Sequence, residues 1–311
     1  MTVSIMRTAE AWWVLTPTGA AKVDTNAQTT AQLLAERTAI SDAAARGHTV
    51  PVDELHLLSP ITAPCRVVAQ MTNFVSHVVD ANMNPKTVPL TFFRKTSGSI
   101  SGPFDDIIKP SHVTLLDYEV EVGLVIGRDM PVGSSLTQAN LAEYITGLVI
   151  TNDVSARDVQ LSKTQFFEGK SYPTFTPVGP RLVLIDAEEL RRFTDLRLQL
   201  WVNGEPRQNM TVADMIYPPL HTLQALARFQ HLQAGDLVLT GTPVGTALSA
   251  PPKPVEKIGA LLPPELKWKV FFKKQARNPK YLKHGDVVEL AIATDDGALD
   301  LGRQRTVVKD A

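Results

Sequence analysis

Asp117-Tyr118-Glu119-Val120-Glu121-Val122-Gly123-Leu124-Val125-Ile126-Gly127 is the stretch on which both fold and chemistry turn. Read as a strand of period two, it sends Glu119 and Glu121 to one face and Tyr118, Val120 and Val122 to the other. Two carboxylates one pleat repeat apart, flanked by apolar sequence, repel each other and resist ionisation unless a cation, a shared proton or open solvent relieves them. A further acid, Asp153, ends another apolar run, Tyr144-Ile145-Thr146-Gly147-Leu148-Val149-Ile150-Thr151-Asn152. Three hard oxygen ligands with no thiolate favour Mg²⁺ or Mn²⁺. Alternation alone fits equally well a strand whose glutamates lie on its wet face, and Asp153 fits equally well a cap before Ser155-Ala156-Arg157.

Working outward, similar short runs rich in Val, Ile, Leu and Thr recur between Gly and Pro punctuation: Val67-Gln70, Leu182-Ile185, Leu196-Val202, Asp236-Thr240 and Asp286-Ala293. The expected fold class is mixed α/β and predominantly β. Leu196-Val202 runs into Asn203-Gly204, a type I′ turn pair that predicts a hairpin. Residues 1–60 read as a small N-terminal α+β module, with a strand at Trp12-Leu15 and an amphipathic helix from about Thr25 to Arg46 closed by Gly47. The remainder, 61–311, reads as the catalytic domain. Its helices are expected to be short: about Asn73 to Ala81, a turn after Asp153, and about Asp214 to Phe229. Ala250 to Lys283, proline-rich and then lysine-rich, reads as a long excursion between two strands.

Composition narrows the functional classes. The chain has 311 residues, 44% hydrophobic, with 31 Lys plus Arg against 32 Asp plus Glu. That is enough apolar material for a large core and no basic field for nucleic acid. Arg7, Glu10 and Lys22 interrupt the N-terminus, and no apolar run reaches the roughly 18 residues of a membrane span, so a soluble, cytoplasmic protein with no nucleic-acid or membrane partner is expected. Cys65 is the single cysteine, which excludes an intramolecular disulfide and a zinc-thiolate site and predicts a buried small hydrophobe. Nucleophile-elbow, zincin and dinucleotide-binding motifs are absent. Gly169-Lys170-Ser171 imitates the end of a phosphate loop, but Thr164 stands where that loop needs its first glycine.

Beyond these single features, an ordered set of motifs resembles the fumarylacetoacetate hydrolase family from about Val67 to Val308. They are Asn73-Phe74-Val75-Ser76-His77, Tyr118-Glu119-Val120-Glu121, Thr151-Asn152-Asp153-Val154-Ser155-Ala156-Arg157-Asp158-Val159-Gln160, Gly169-Lys170-Ser171, Pro177-Val178-Gly179-Pro180, Val202-Asn203-Gly204-Glu205, and Gly235-Asp236 followed by Thr240-Gly241-Thr242-Pro243-Val244-Gly245. The resemblance implies a β-clip or roll fold, a homodimer, and a Mg²⁺ or Mn²⁺ site at Glu119, Glu121 and Asp153. It implies a small-molecule substrate carrying a 2-oxo acid or 1,3-dicarbonyl group, and carbon–carbon hydrolysis of an acylpyruvate or a related 2,4-dioxo acid. A lyase or isomerase, such as a decarboxylase or hydratase, is the alternative in the same fold. Arg157, Gln160 and Thr242 are expected to bind substrate, and Lys170 to steady an oxyanion. His77 and Asp80, spaced i, i+3, share a helix face, so the carboxylate is placed to orient a water-activating imidazole. The family more often carries Glu where this chain has Asp80.

Overall fold

The computed structural model describes residues 2–45, 48–163, 165–251 and 263–311. Its centre is the quoted stretch, as the strand Val120–Ile126, buried along its whole length and paired antiparallel with Ile145–Asn152. These two strands lie inside a nine-stranded sheet. From one edge the order is Gly19–Lys22, Trp12–Thr16, Val3–Arg7, Leu182–Leu184, Ile145–Asn152, Val120–Ile126, Leu237–Leu239, Val67–Met71 and Thr91–Lys95. The first sixty residues therefore add strands to the main sheet, with Val3–Arg7 paired against Leu182–Leu184. A second sheet orders Glu205–Thr211, Leu196–Val202, Val287–Thr294, Asp300–Asp310 and Ile107–Lys109.

Period two explains how one strand serves two cores. Val120, Val122, Leu124 and Ile126 pack into a core shared with Leu198, Leu200, Leu290 and Ile292 of the second sheet. Val125 points the other way, toward Leu33 and Ile40 of the helices Thr30–Ala35 and Arg37–Ala45. A strand covered on both faces reads as a nearly continuous apolar run, which is the texture of the quoted sequence. Glu121 shares the parity of Val125, so a carboxylate enters the interior on a face built for apolar groups.

The expected strands form within a residue or two of their predicted ends, and the fold is mixed α/β and predominantly β. The hairpin after Leu196–Val202 turns at Asn203 and Gly204, whose φ values of 54° and 79° are the left-handed pair that a type I′ turn requires. Helices depart more. The expected Thr25–Arg46 helix is two helices broken at Glu36, the first opened by a capping box on Thr29 and Gln32; Arg46 and Gly47 lie outside the described residues. The expected helix from Asp214 begins only at Pro219, because Pro218 and Pro219 set its first turn. In the excursion, residues 252–262 lie outside the described residues, and the rest contains the helix Pro264–Gln275. Among the described residues no helix is long and apolar enough to cross a membrane. Cys65 is half-buried beside the second core, and burial with the nearby Asp236 carboxylate pushes its thiol up to about 12.

Gly245 ties the loop after Leu237–Leu239 to the second sheet. Its φ is 115°, and a Cβ there would lie 2.0 Å from the Arg207 carbonyl oxygen. Gly245→Ala is expected to lower unfolding free energy by about 2 kcal/mol or more, read as a lower urea midpoint at unchanged slope.

Candidate active site

The end of the central strand pair gathers the acids. Glu121 lies in the strand opposite Thr151; Glu119 immediately precedes the strand, its N–H donating to Asn152 Oδ1 at 3.0 Å. Asp153 follows the partner strand, with its N–H on the Glu119 carbonyl at 2.9 Å. Glu119, Glu121 and Asp153 are all buried, and each offers an oxygen within 4.8 Å of the others. The wet-face arrangement is thereby overturned: Glu121 is 1% exposed and Glu119 6%. The covering cores and the returning 240–245 loop close the face that alternation alone leaves open.

Buried anions this close need compensation. Lys170 Nζ donates to Glu119 Oε2 and Asp153 Oδ2 at 2.7 Å each. Lys95, at the end of Thr91–Lys95, donates to Asp153 Oδ1 and to the Phe175 carbonyl. Arg157 divides its guanidinium among Asp117 Oδ2, Gln160 Oε1 and Glu119 Oε1. Glu121 receives the Gly241 N–H at 2.7 Å. The pKa directions follow. Burial alone would raise Glu119, but the adjacent Lys170 and Arg157 hold it well below the usual carboxylate range. Burial, Asp153 and Glu119 push Glu121 well above that range. Lys170 is raised because Asp153 and Glu119 outweigh its burial, whereas burial dominates and lowers Lys95.

This donor set fits a hard divalent cation: three buried carboxylate oxygens, no sulfur, and one acid whose ionisation is opposed by its neighbours. An ammonium already lies between two of the three acids, a position where positive charge is favoured.

Above the acids opens a cavity of about 360 Å³, lined by Glu119, Glu121, Arg157, Gln160, Lys170 and Thr242, with His77 and Asp80 on another wall. Asp153 lies beneath it, buried. His77 and Asp80 belong to the helix Val75–Asp80, but no hydrogen bond joins them; His77 Nδ1 is enclosed with no partner, and Asp80 is exposed. Burial lowers the His77 pKa, which keeps the imidazole neutral and able to accept a proton. Thr242 Oγ1 donates to the Val120 carbonyl and accepts from Gln208 Nε2, bracing the 240–245 loop.

Three groups escaped the sequence reading. Lys95 is a lysine at the end of an ordinary strand, with no spacing that marks it. Asp117 opens the quoted stretch, yet its work lies in contacts distant in sequence: it accepts from Arg157, from its neighbour Tyr118 N–H, and from the Ala247 and Leu248 N–H groups. Trp268 and Phe271 come from the excursion helix and line the cavity.

Comparison with known proteins agrees with this architecture. The family model described as fumarylacetoacetate (FAA) hydrolase C-terminal matches residues 66–309. The chain belongs to the fumarylacetoacetate hydrolase family. It is 33% identical over 204 residues to the mitochondrial oxaloacetate tautomerase Fahd2a of Rattus norvegicus, a match covering 65% of this chain and 63% of that protein. The match thus spans somewhat less than two thirds of that relative's length. A probable 2-hydroxyhepta-2,4-diene-1,7-dioate isomerase from Mycobacterium abscessus superposes with a TM-score of 0.76 at 28% identity, covering 100% of this chain and 99% of its own. Maleylpyruvate hydrolase from Sphingobium sp. SYK-6, solved with manganese(II) and pyruvate, shares the fold at a TM-score of 0.72 and 19% identity, with 100% of both chains covered.

Asp117→Ala leaves Arg157 buried with a lost partner and orphans two loop amides. It is expected to cost about 3–5 kcal/mol of stability, measured by urea unfolding, far above the value for an exposed ion pair.

Proposed function

We propose that this enzyme is a divalent-metal-dependent hydrolase that cleaves a carbon–carbon bond of an acylpyruvate or related 2,4-dioxo acid. The observation that carries this reading is the buried triad Glu119, Glu121 and Asp153 with Lys170 between two of its members, opening on a cavity that also holds a neutral His77. Mg²⁺ or Mn²⁺ held by the three carboxylates supplies Lewis-acid stabilisation of negative charge on the oxygens of the 2-oxo acid. Gln160 and Arg157 border the place where the substrate carboxylate sits. His77 takes a proton from water as the water oxygen bonds to the distal carbonyl carbon, and Asp80, on the same wall, favours the imidazolium that results. Lys170 has three N–H donors, two of them on carboxylates, and the third is available to the developing oxyanion. Collapse of that oxyanion breaks the carbon–carbon bond, its electron pair passes to the enolate of pyruvate, and protonation gives pyruvate and a carboxylic acid. On this reading the enzyme works as a homodimer in the cytoplasm.

A second reading, a tautomerase or other lyase or isomerase acting on a 2-oxo acid, is favoured by the tautomerase and isomerase relatives and by the missing hydrogen bond between His77 and Asp80. These chemistries need enolate stabilisation but no water nucleophile.

One measurement tests the metal that both accounts need, and a second decides between them. Glu121→Ala is expected to weaken Mn²⁺ or Mg²⁺ binding in calorimetry by more than the roughly 10–100-fold typical of losing an outer-sphere partner, with the fold retained. Unchanged affinity would remove the metal assignment. His77→Ala is expected to abolish pyruvate release from acylpyruvates while leaving metal affinity intact and sparing decarboxylation of oxaloacetate. Hydrolysis at the wild-type rate in that variant would place the lyase or isomerase reading first.

A further inference from the structure

The cavity lining has two chemically different parts. Part of its lining is Glu119, Glu121, Lys170, Arg157 and Gln160; another part is aromatic rings from three segments distant in sequence. Phe93 and Phe166 meet edge to face with centroids 5.7 Å apart, and Lys170 Nζ lies 5.4 Å from the Phe93 centroid, so this pair begins beside the charged residues. The helix Pro264–Gln275 contributes Trp268 and Phe271 to the same lining, with centroids 5.8 Å apart. Trp268 also stacks on Phe272, at 5.5 Å and an interplanar angle of 20°, and Phe272 packs against the main core.

That helix is tied to the site loop at its C-terminal end. Gln275 is buried, donates to the Ser249 carbonyl at 3.2 Å and accepts from Tyr281 Oη at 3.1 Å; Asn278 Nδ2 donates to the Ala247 carbonyl at 2.8 Å. Ala247 and Leu248 are themselves held by Asp117, which also holds Arg157. The aromatic helix and the charged residues are thus connected through one chain of buried and part-buried hydrogen bonds. Lys267 is the cation of the excursion that lines the cavity, and its Nζ lies 5.7 Å from the Trp268 centroid, over the ring.

We propose that the excursion helix determines specificity, and that the site takes a 2-oxo acid whose distal group is aromatic, held among Trp268, Phe271, Phe93 and Phe166. This inference rests on the preceding reading for the position of the 2-oxo acid head, but not for the reaction that follows. Aromatic rings packed in edge and offset arrangements gain both buried area and favourable quadrupole contact. A flat apolar tail matches those rings, whereas a carboxylate tail would lose its hydration among four rings, with Lys267 the one lining cation of the excursion's described residues to offset it.

The test uses three 2-oxo acids that cannot be cleaved as acylpyruvates: 4-phenyl-2-oxobutanoate, 2-oxopentanoate and 2-oxoadipate, titrated calorimetrically into the Mg²⁺-loaded full chain. The phenyl compound is expected to bind about tenfold or more tightly than either of the others, the gain corresponding to burial of the ring. Trp268→Ala, and independently Phe166→Ala in the other aromatic pair, should reduce that preference to below about threefold. Tightest binding of 2-oxoadipate would overturn the proposal, making Lys267 the reader of an anionic tail. So would a phenyl preference unchanged in both folded variants. Tight, Trp268-dependent binding of the phenyl compound together with failure to cleave benzoylpyruvate would uphold the aromatic subsite while removing the hydrolase reading.

Discussion

Burying Glu119, Glu121 and Asp153 within a few ångströms of one another is the constraint to which the rest of the structure answers. With Asp117, four carboxylates face the three cations Lys95, Arg157 and Lys170, and His77 is kept neutral by burial. Glu121 is the member without a cationic hydrogen-bond partner; it accepts from the Gly241 N–H, and burial, Asp153 and Glu119 push its carboxyl well above the usual range. A dication at the three acids would relieve the repulsion that opposes ionisation of Glu121. In so buried a place neither solvent nor salt screens that interaction well.

The scaffold makes such a cluster tolerable. Val120–Ile126 and Ile145–Asn152 are covered on both faces, so their ends are held by the two cores together with the ladder between them. Glu121 is fixed by its strand, Glu119 by the Asn152 side chain, and Asp153 by the Glu119 carbonyl. Asp117 then locks Arg157 and two amides of the returning loop, so the loop carrying Gly241 and Thr242 cannot withdraw without exposing buried charge. Function here depends on stability in a direct sense: the groups that hold the loop are the ones that hold the charge in balance.

Much of this was legible in the sequence, for identifiable reasons. The apolar texture of Val120–Ile126 and Ile145–Asn152 marked the central pair, and Asn203-Gly204 marked the hairpin, because period and turn chemistry are local properties. The three acids stood out as residues of the wrong polarity at the ends of such runs. Their burial did not, since alternation is blind to what covers a face. Lys95 was invisible because its partner Asp153 is distant in sequence, and Asp117 was read as the start of a strand although its contacts reach Arg157 and the loop at Ala247. The excursion helix was hidden by its lysines: Leu266 and Val270 are exposed, and of its described apolar residues Trp268, Phe271 and Phe272 turn inward, too few to give a clean helical stripe.

The central claim is that the three buried carboxylates form one divalent-cation site facing the cavity. Anomalous diffraction at the manganese edge, from crystals of the full chain soaked in Mn²⁺, addresses it most directly. The account predicts a single strong peak at coordination distance from one oxygen each of Glu119, Glu121 and Asp153, with Lys170 moved off at least one of the two acids it now bridges. Absence of a peak there at saturating Mn²⁺, with Lys170 still bonded to both Glu119 and Asp153, would contradict it.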